Sequence, residues 1–255
     1  MSFAPVHPSA PQPHPATARP WIAPQPAPRP AGLEDWSAIQ AYVEQILAAL
    51  AAEGYELTVE HDAQAWVELM RGAPQISSIT PSYDPAHSIV DPSNLFWLRV
   101  ARDGRDLACC VSRLYHVQDL AQLIRSYRLW YDKRPTLVVR MLTMAAGEGL
   151  ELLRGRLGLI GGLWVHPEVR GGNMARWLTR LAMGLSVRHF DIDWAFCHVK
   201  EATARSGMAT RGYGFRHVEP NIEGYYPPFG RDQDFWLGYS SRDEVIRTLA
   251  AGLRR

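Results

Sequence analysis

The sequence predicts a mixed α/β (α+β) fold, a central sheet with helices on both faces, and three observations carry that reading. Strand-like segments interleave with segments whose apolar residues recur at helical spacing, giving the order α-β-α-β-β-α-β-α-β-α-β-β-α. Asp103-Gly104 sits between two apolar runs, a two-residue hairpin signal. A charge-free run over residues 157–165 ends in His166-Pro167, passes through Arg170, Gly171, Gly172 and Asn173, and hands over to a helical segment. At 255 residues, 47% hydrophobic and 21% charged, the chain can bury a full core in one or two domains.

Ten of the first thirty residues are proline, so residues 1–30 are expected to be an extended, disordered tail that can neither form a helix nor join a sheet. From 33 to 52, Trp36, Ile39, Val43, Ile46, Leu47 and Leu50 repeat at helical spacing, and Gly54 is a stop; an N-terminal helix is expected within 31–54. "YELTVEH" (55–61) reads as a strand, and "DAQAWVELMRG" (62–72) as a helix opened by Asp62 and closed by Gly72. Residues 77–94 are punctuated by proline and read as loop. The hairpin strands fill 95–115, and 117–131 reads as helix. Residues 131–149 give no clear pattern. Then follow a strand (156–165), a helix (172–190), a strand (193–199), a helix (200–212) and strands at 215–219 and 234–240. The "EPNIEGYYPPFGRDQ" stretch between the last two is expected to be a rigid loop, and a C-terminal helix fills 241–255. The body of the fold is thereby placed at 55–240.

Composition excludes several classes. A net charge of +1 gives no electrostatic case for a nucleic-acid or membrane partner. No apolar run approaches the roughly 18–20 residues of a membrane span, and the N-terminus lacks a signal-peptide core, so a cytoplasmic location is expected. Cys109, Cys110 and Cys197 form no disulfide framework and match no zinc spacing; no metal is expected.

The turn at 170–173 holds the chemistry. A helix start leaves about four backbone N–H groups unpaired and carries partial positive charge. Gly171 and Gly172 let an anion approach those groups, Asn173 tolerates a left-handed conformation, and Arg170 adds a cation. From these residues alone, the turn is either a diphosphate cradle or a helix start that binds nothing.

"WVHPEVRGGNMARWL" resembles the acyl-CoA-binding signature of the GNAT N-acyltransferase superfamily, with Val165, Pro167, Arg170, Gly171 and Ala175 in register and Asn173 in place of the central glycine. "ATARSGMATRGYGF" is similar to a later helix of the family that ends in Gly-Phe, here Gly214-Phe215; Thr203 and Thr210 stand where the family often has Asn and Tyr. The resemblance spans residues 55–240, with a long insertion between Tyr115 and Arg156.

This resemblance implies a mixed, mostly antiparallel sheet in which the strand 157–165 splays from the next at a bulge. It also implies direct transfer of an acyl group, in the first place acetyl, from acyl-CoA to a small-molecule or protein amine, with a homodimer as one possible assembly. Leu163, Trp164 and Val165 would pair with pantetheine, while Arg170, Gly171, Gly172, Asn173, Met174 and Ala175, with Thr203 and Thr210, would bind the rest of the co-substrate. His198, at the end of the next strand, is the candidate base; a backbone-bonded structural histidine is the other reading. Tyr213 or Tyr226 would stand in for the acid missing at Thr210. Tyr225, Tyr226 and Phe229 would wall the acceptor site, and Glu223 would hold a cationic acceptor; Trp97, Trp130 and Trp164 read as core. Two other functions stay open: a non-catalytic acyl-CoA-binding scaffold, and an adaptor recruiting partners through its proline-rich tail.

Overall fold

Alternation along β2 (Leu95–Arg102) sends Leu95 and Trp97 to one face of the sheet and Phe96, Leu98 and Val100 to the other, and both sets are buried. A strand buried on both faces must lie between two covering layers, and the fold supplies them. The computed structural model describes residues 33–132, 143–145 and 147–253. The proline-rich tail expected over residues 1–30 lies outside them.

The eight described strands are β1 (Glu56–Glu60), β2, β3 (Arg105–Val117), β4 (Thr143–Met144), β5 (Gly155–Val165), β6 (Trp194–Lys200), β7 (His217–Tyr226) and β8 (Arg231–Ser241). They form one sheet in the order β1-β2-β3-β5-β6-β8-β7-β4. Every neighbouring pair is antiparallel except β5–β6, which is parallel. That pair is joined by α5 (Met174–Phe190), the crossover a parallel connection requires.

One face carries α5 together with α1 (Leu33–Ala52) and α7 (Arg242–Gly252), whose Ile39, Ile46, Leu181, Val245 and Leu249 share a single core. The other face carries α2 (Ala63–Gly72), α3 (Leu120–Arg125) and the chain around residues 80–90 and 126–131, packed about Trp66, Tyr83 and Trp130. The class expected from the sequence, a mostly antiparallel mixed sheet covered on both faces, is the class observed.

Local chemistry sets the element ends. Asp62 accepts hydrogen bonds from the Gln64 and Ala65 N–H groups and starts α2, and Asp119 does the same for α3 through Gln122. Ser241 and Glu244 close a capping box on α7. Asp103 and Gly104 both adopt positive φ (53° and 72°), so the β2–β3 hairpin turns as expected. No helix among the described residues is long and apolar enough to cross a membrane.

Three expectations change. The helix placed at 117–131 is only α3: Tyr127 takes a left-handed φ of 61°, and the following turns bury Leu129 and Trp130 instead. The helix placed at 200–212 breaks at Gly207 (φ 74°) into α6 (Glu201–Arg205) and one π turn, Met208–Gly212. The stretch expected as a rigid loop after residue 219 is mostly strand, since β7 and β8 form one long hairpin closed by Pro227–Phe229 and Gly230. β4 and the short α4 (Glu148–Leu152) occupy part of the region that showed no pattern. Gly72 is the last residue of α2, and extended Ala73 ends it.

Arg113 of β3 fastens the covering chain to the sheet. Its buried guanidinium donates to the carbonyls of Ser82 and Ile89 and to the Asp132 carboxylate, 3.2 Å away, and stacks 4.5 Å from the Tyr115 ring centroid. Three acceptors around one buried cation satisfy most of its donors, which a low-dielectric site demands. Replacing Arg113 with Met should cost about 2–4 kcal/mol of stability, the lower end because Asp132 keeps partial access to water; urea unfolding measures it, and a loss under 1 kcal/mol would contradict this role.

Candidate functional site

The sheet opens where β5 carries two glycines. On β3, Cys109 and Val111 are two residues apart; their partners on β5, Trp164 and Gly161, are three apart. β5 therefore holds one extra residue, a bulge at Gly161–Leu163 that re-aims the strand. Gly162 adopts φ +55°, and a Cβ there would lie 2.7 Å from the Trp66 ring and 2.9 Å from Val111. A Cβ on Gly161 would collide with the Tyr83 hydroxyl. Only glycine fits at either place.

The bulge parts β5 from β6. Their pairing runs only from Leu157↔Trp194 to Leu159↔Phe196, while the other edge of β5 stays paired with β3 as far as Val165. A cleft of about 380 Å³ fills the gap. Its lining joins Ile160, Cys197 and Phe215 from the core beneath α5 to Tyr83, Trp130 and Tyr226 from the opposite core, so the cleft passes through the sheet.

Downstream of the bulge lies the glycine turn. Arg170, Gly171, Gly172 and Asn173 are exposed, and a Cβ on either glycine would meet nothing within 4 Å. No side chain caps α5, and the first N–H bonded across the turn is that of Trp177, to the Asn173 carbonyl. The N–H groups before it have no side-chain cap, the arrangement an anion cradle starts from. Gly171 carries the left-handed turn (φ 87°); Asn173, for which the sequence allowed that role, is right-handed (φ −89°). Arg170 does not reach freely outward: its Nε donates to the Val165 carbonyl at 2.9 Å and its Nη1 to Gln75. This clamps the end of β5 and leaves the charge at the rim.

The expected site residues divide. Leu163, His198, Tyr213 and Tyr226 line the cleft. Trp164 does not: it is buried, with its indole N–H directed to the Pro74 carbonyl. Met174 puts its side chain into the core beneath α5, so only its backbone belongs to the turn, beside Ala175. Thr203 and Thr210 lie outside the lining, and the exposed Thr210 hydroxyl is spent on the Gly207 carbonyl. Phe229 walls the cleft as expected, but Tyr225 does not, and Glu223 is exposed on β7 opposite Thr143. Trp130, expected only as core, is both buried and lining. Gly161, Gly162, Tyr83, Thr179 and Lys200 went unremarked; the glycine pair inside a charge-free strand was the available signal.

The cleft suppresses ionisation. His198 has its Nε2 2.9 Å from the Asn221 Oδ1 and ring centroids of Trp130, Phe196 and Phe235 each 6.2 Å away. Burial lowers its pKa to about 4, against a smaller upward pull from Asn221, so it does not titrate near neutrality. Burial also pushes Tyr213 up to about 12 and Tyr226 further upward.

The sequence matches no family model, and no curated protein matches it. Similar solved structures include Arabidopsis thaliana NAA60 in complex with acetyl-CoA, at 14% identity and a TM-score of 0.45, over 73% of this chain and 98% of that one. The spermidine/spermine N-acetyltransferase SpeG from Vibrio cholerae is 12% identical with a TM-score of 0.44, over 76% and 96% of the two chains. An acetyltransferase of the GNAT family from Streptococcus pneumoniae is 11% identical with a TM-score of 0.39, over 73% and 99%.

The contact between Tyr83 and Gly161 makes the bulge testable. Gly161→Ala should destabilise the chain by about 1–3 kcal/mol through overpacking. Adding Tyr83→Phe should recover at least half of that loss, because the hydroxyl is the atom a Cβ would strike first. Additive losses in the double variant, read by thermal unfolding, would show that the hydroxyl does not set the constraint.

Proposed function

We propose that this protein transfers an acyl group, acetyl in the first place, from acyl-CoA to an amine by direct attack within a ternary complex. One observation carries the reading. A glycine bulge opens β5 away from its parallel neighbour, and the same strand then runs into an uncapped helix start ringed by glycine. The first feature offers free strand edge to an extended pantetheine arm. The second offers N–H groups to a diphosphate. The motif resemblance of residues 164–178 predicts both at these places.

In the reaction the amine nitrogen attacks the thioester carbonyl carbon, a C–N bond forms, and the C–S bond breaks with its electron pair on sulfur. A backbone N–H beside the bulge is suited to the carbonyl oxygen as charge develops there, worth about 3 kcal/mol. Holding both reactants in the cleft supplies a larger share, about 7–11 kcal/mol. With Nε2–H donated to Asn221 Oδ1, His198 keeps its Nδ1 lone pair for the proton the nitrogen sheds after attack. Tyr213 and Tyr226 stay protonated at neutral pH and can donate to the leaving sulfur. We place the protein in the cytoplasm, in keeping with its three buried, unpaired cysteines.

A second reading, acyl-CoA binding without transfer, draws on the weak basicity of His198 and on Thr210 lying outside the cleft. Thiol release from acetyl-CoA over a panel of amines separates the two.

Gly172→Val tests the cradle. Gly172 has neither a positive φ nor a close neighbour, so the variant should fold normally while its side chain enters the anion's path. Its acetyl-CoA affinity should fall by about 1–3 kcal/mol in a calorimetric titration, as N–H groups lose their partner. An unchanged dissociation constant would sink the cradle.

His198→Ala tests the base. Turnover should drop about 10²–10⁴-fold with acetyl-CoA binding nearly intact. Since the neutral imidazole is the active form and its pKa is about 4, turnover limited by His198 should rise only below pH 5 and stay level above it. A stable variant with wild-type turnover would remove His198 from the chemistry.

A further inference from the structure

Among the described residues, those lining the cleft include no carboxylate. Positions 1–32, 133–142, 146 and 254–255 contain no Asp or Glu side chain. Among the described residues of the lining the one formal charge is positive: Lys200, at the end of β6, with its Nζ 4.9 Å from the Phe229 ring centroid. The wall around His198 is aromatic, with Tyr226 edge-on to Trp130 at 5.7 Å and to Phe235 at 5.1 Å. From this arrangement, and resting on the transferase reading above, we infer that the acceptor is an uncharged, weakly basic aromatic amine whose ring lies among Trp130, Tyr226 and Phe235.

The charge argument decides between amine classes. An alkylamine arrives as an ammonium, and burying it without a counter-ion is unfavourable. Aromatic faces attract cations, which raises the opposite possibility, an aromatic cage for an ammonium group. His198 answers it from within: beside Trp130 and Phe235 of this wall, and Phe196 behind it, its own cationic form is disfavoured by burial, with a pKa of about 4. A substrate cation beside it meets the same environment and, in addition, Lys200. An aniline nitrogen is neutral at pH 7, so no base is needed before attack. After attack it sheds one proton to His198 Nδ1, the C–S bond breaks with its electron pair on sulfur, the sulfur takes a proton from Tyr213 or Tyr226, and the products are an N-aryl amide and the free CoA thiol.

The titratable groups on the lining are Tyr83, Cys197, His198, Lys200, Tyr213 and Tyr226. Burial raises the tyrosines and the cysteine and lowers the histidine, moving all five away from neutrality. The pH dependence between 6 and 8 should therefore report the substrate.

The test uses the full chain, acetyl-CoA and two amines sharing a ring, 4-methylaniline and 4-methylbenzylamine, with thiol release as the readout. At pH 7, kcat/KM for 4-methylaniline should be at least tenfold higher and level from pH 6 to 8. Any rate with 4-methylbenzylamine should climb about tenfold per pH unit, following its small uncharged fraction. As competitors against 4-methylaniline, 4-methylbenzyl alcohol should inhibit and benzyltrimethylammonium should not, even at tenfold higher concentration. Faster turnover of 4-methylbenzylamine at pH 7, or stronger inhibition by the quaternary cation, would overturn the inference and leave acyl transfer standing. No thiol release with either amine, or with any other amine, would overturn both.

Discussion

The geometry of this protein turns on one extra residue in β5. A strand inside a sheet normally pairs on both edges. Here the insertion at Gly161–Leu163 is absorbed on the β3 side as a bulge and is not absorbed on the β6 side at all. Trp66 and Tyr83 occupy the space where side chains at 161 and 162 would go, so the parting of the strands is enforced by packing from the α2 face. In a close-packed interior such a wedge cannot relax by a fraction of an ångström. The cleft follows from the wedge.

Holding the wedge requires the covering chain to be fixed. Tyr83 sits in a short 3-10 turn, and Trp130 in irregular chain after α3; neither belongs to an element with its own hydrogen-bond ladder. Arg113 supplies the anchor, tying both to β3, and Ser82 and Tyr115 add bonds to the Leu129 carbonyl. The polar groups of this face are thereby consumed in holding it together. Toward the cleft the described lining keeps hydroxyls such as Ser77, Ser78, Thr80 and Thr179 but no carboxylate, and burial among the rings of Trp130, Phe196 and Phe235 holds His198 neutral.

Much of the fold was legible because local and global preferences agree. The capping aspartate at 62, the Asp103-Gly104 turn and helical spacing through residues 174–190 each named their element. Legibility failed where a single glycine or a left-handed residue overrides an otherwise helical pattern, as at Gly207 and Tyr127, and where proline and aromatics imitate a loop inside the β7–β8 hairpin. In the site, the glycine turn at 171–172 and His198 could be found by position. The bulge could not, since it depends on Trp66 and Tyr83, roughly eighty to a hundred residues away in sequence. Thr210 lies past the break at Gly207, in a π turn instead of the continuous helix expected for it, whereas Thr203 stays in α6.

The central claim is that backbone groups, freed by the bulge and by the uncapped helix, form the acyl-CoA site. Hydrogen–deuterium exchange of the full chain, with and without saturating acetyl-CoA, addresses those groups directly. The expected result is slowed exchange confined mainly to two stretches, 160–165 on β5 and 171–176 at the start of α5. Protection elsewhere, with these amides unchanged although acetyl-CoA is bound, would contradict it.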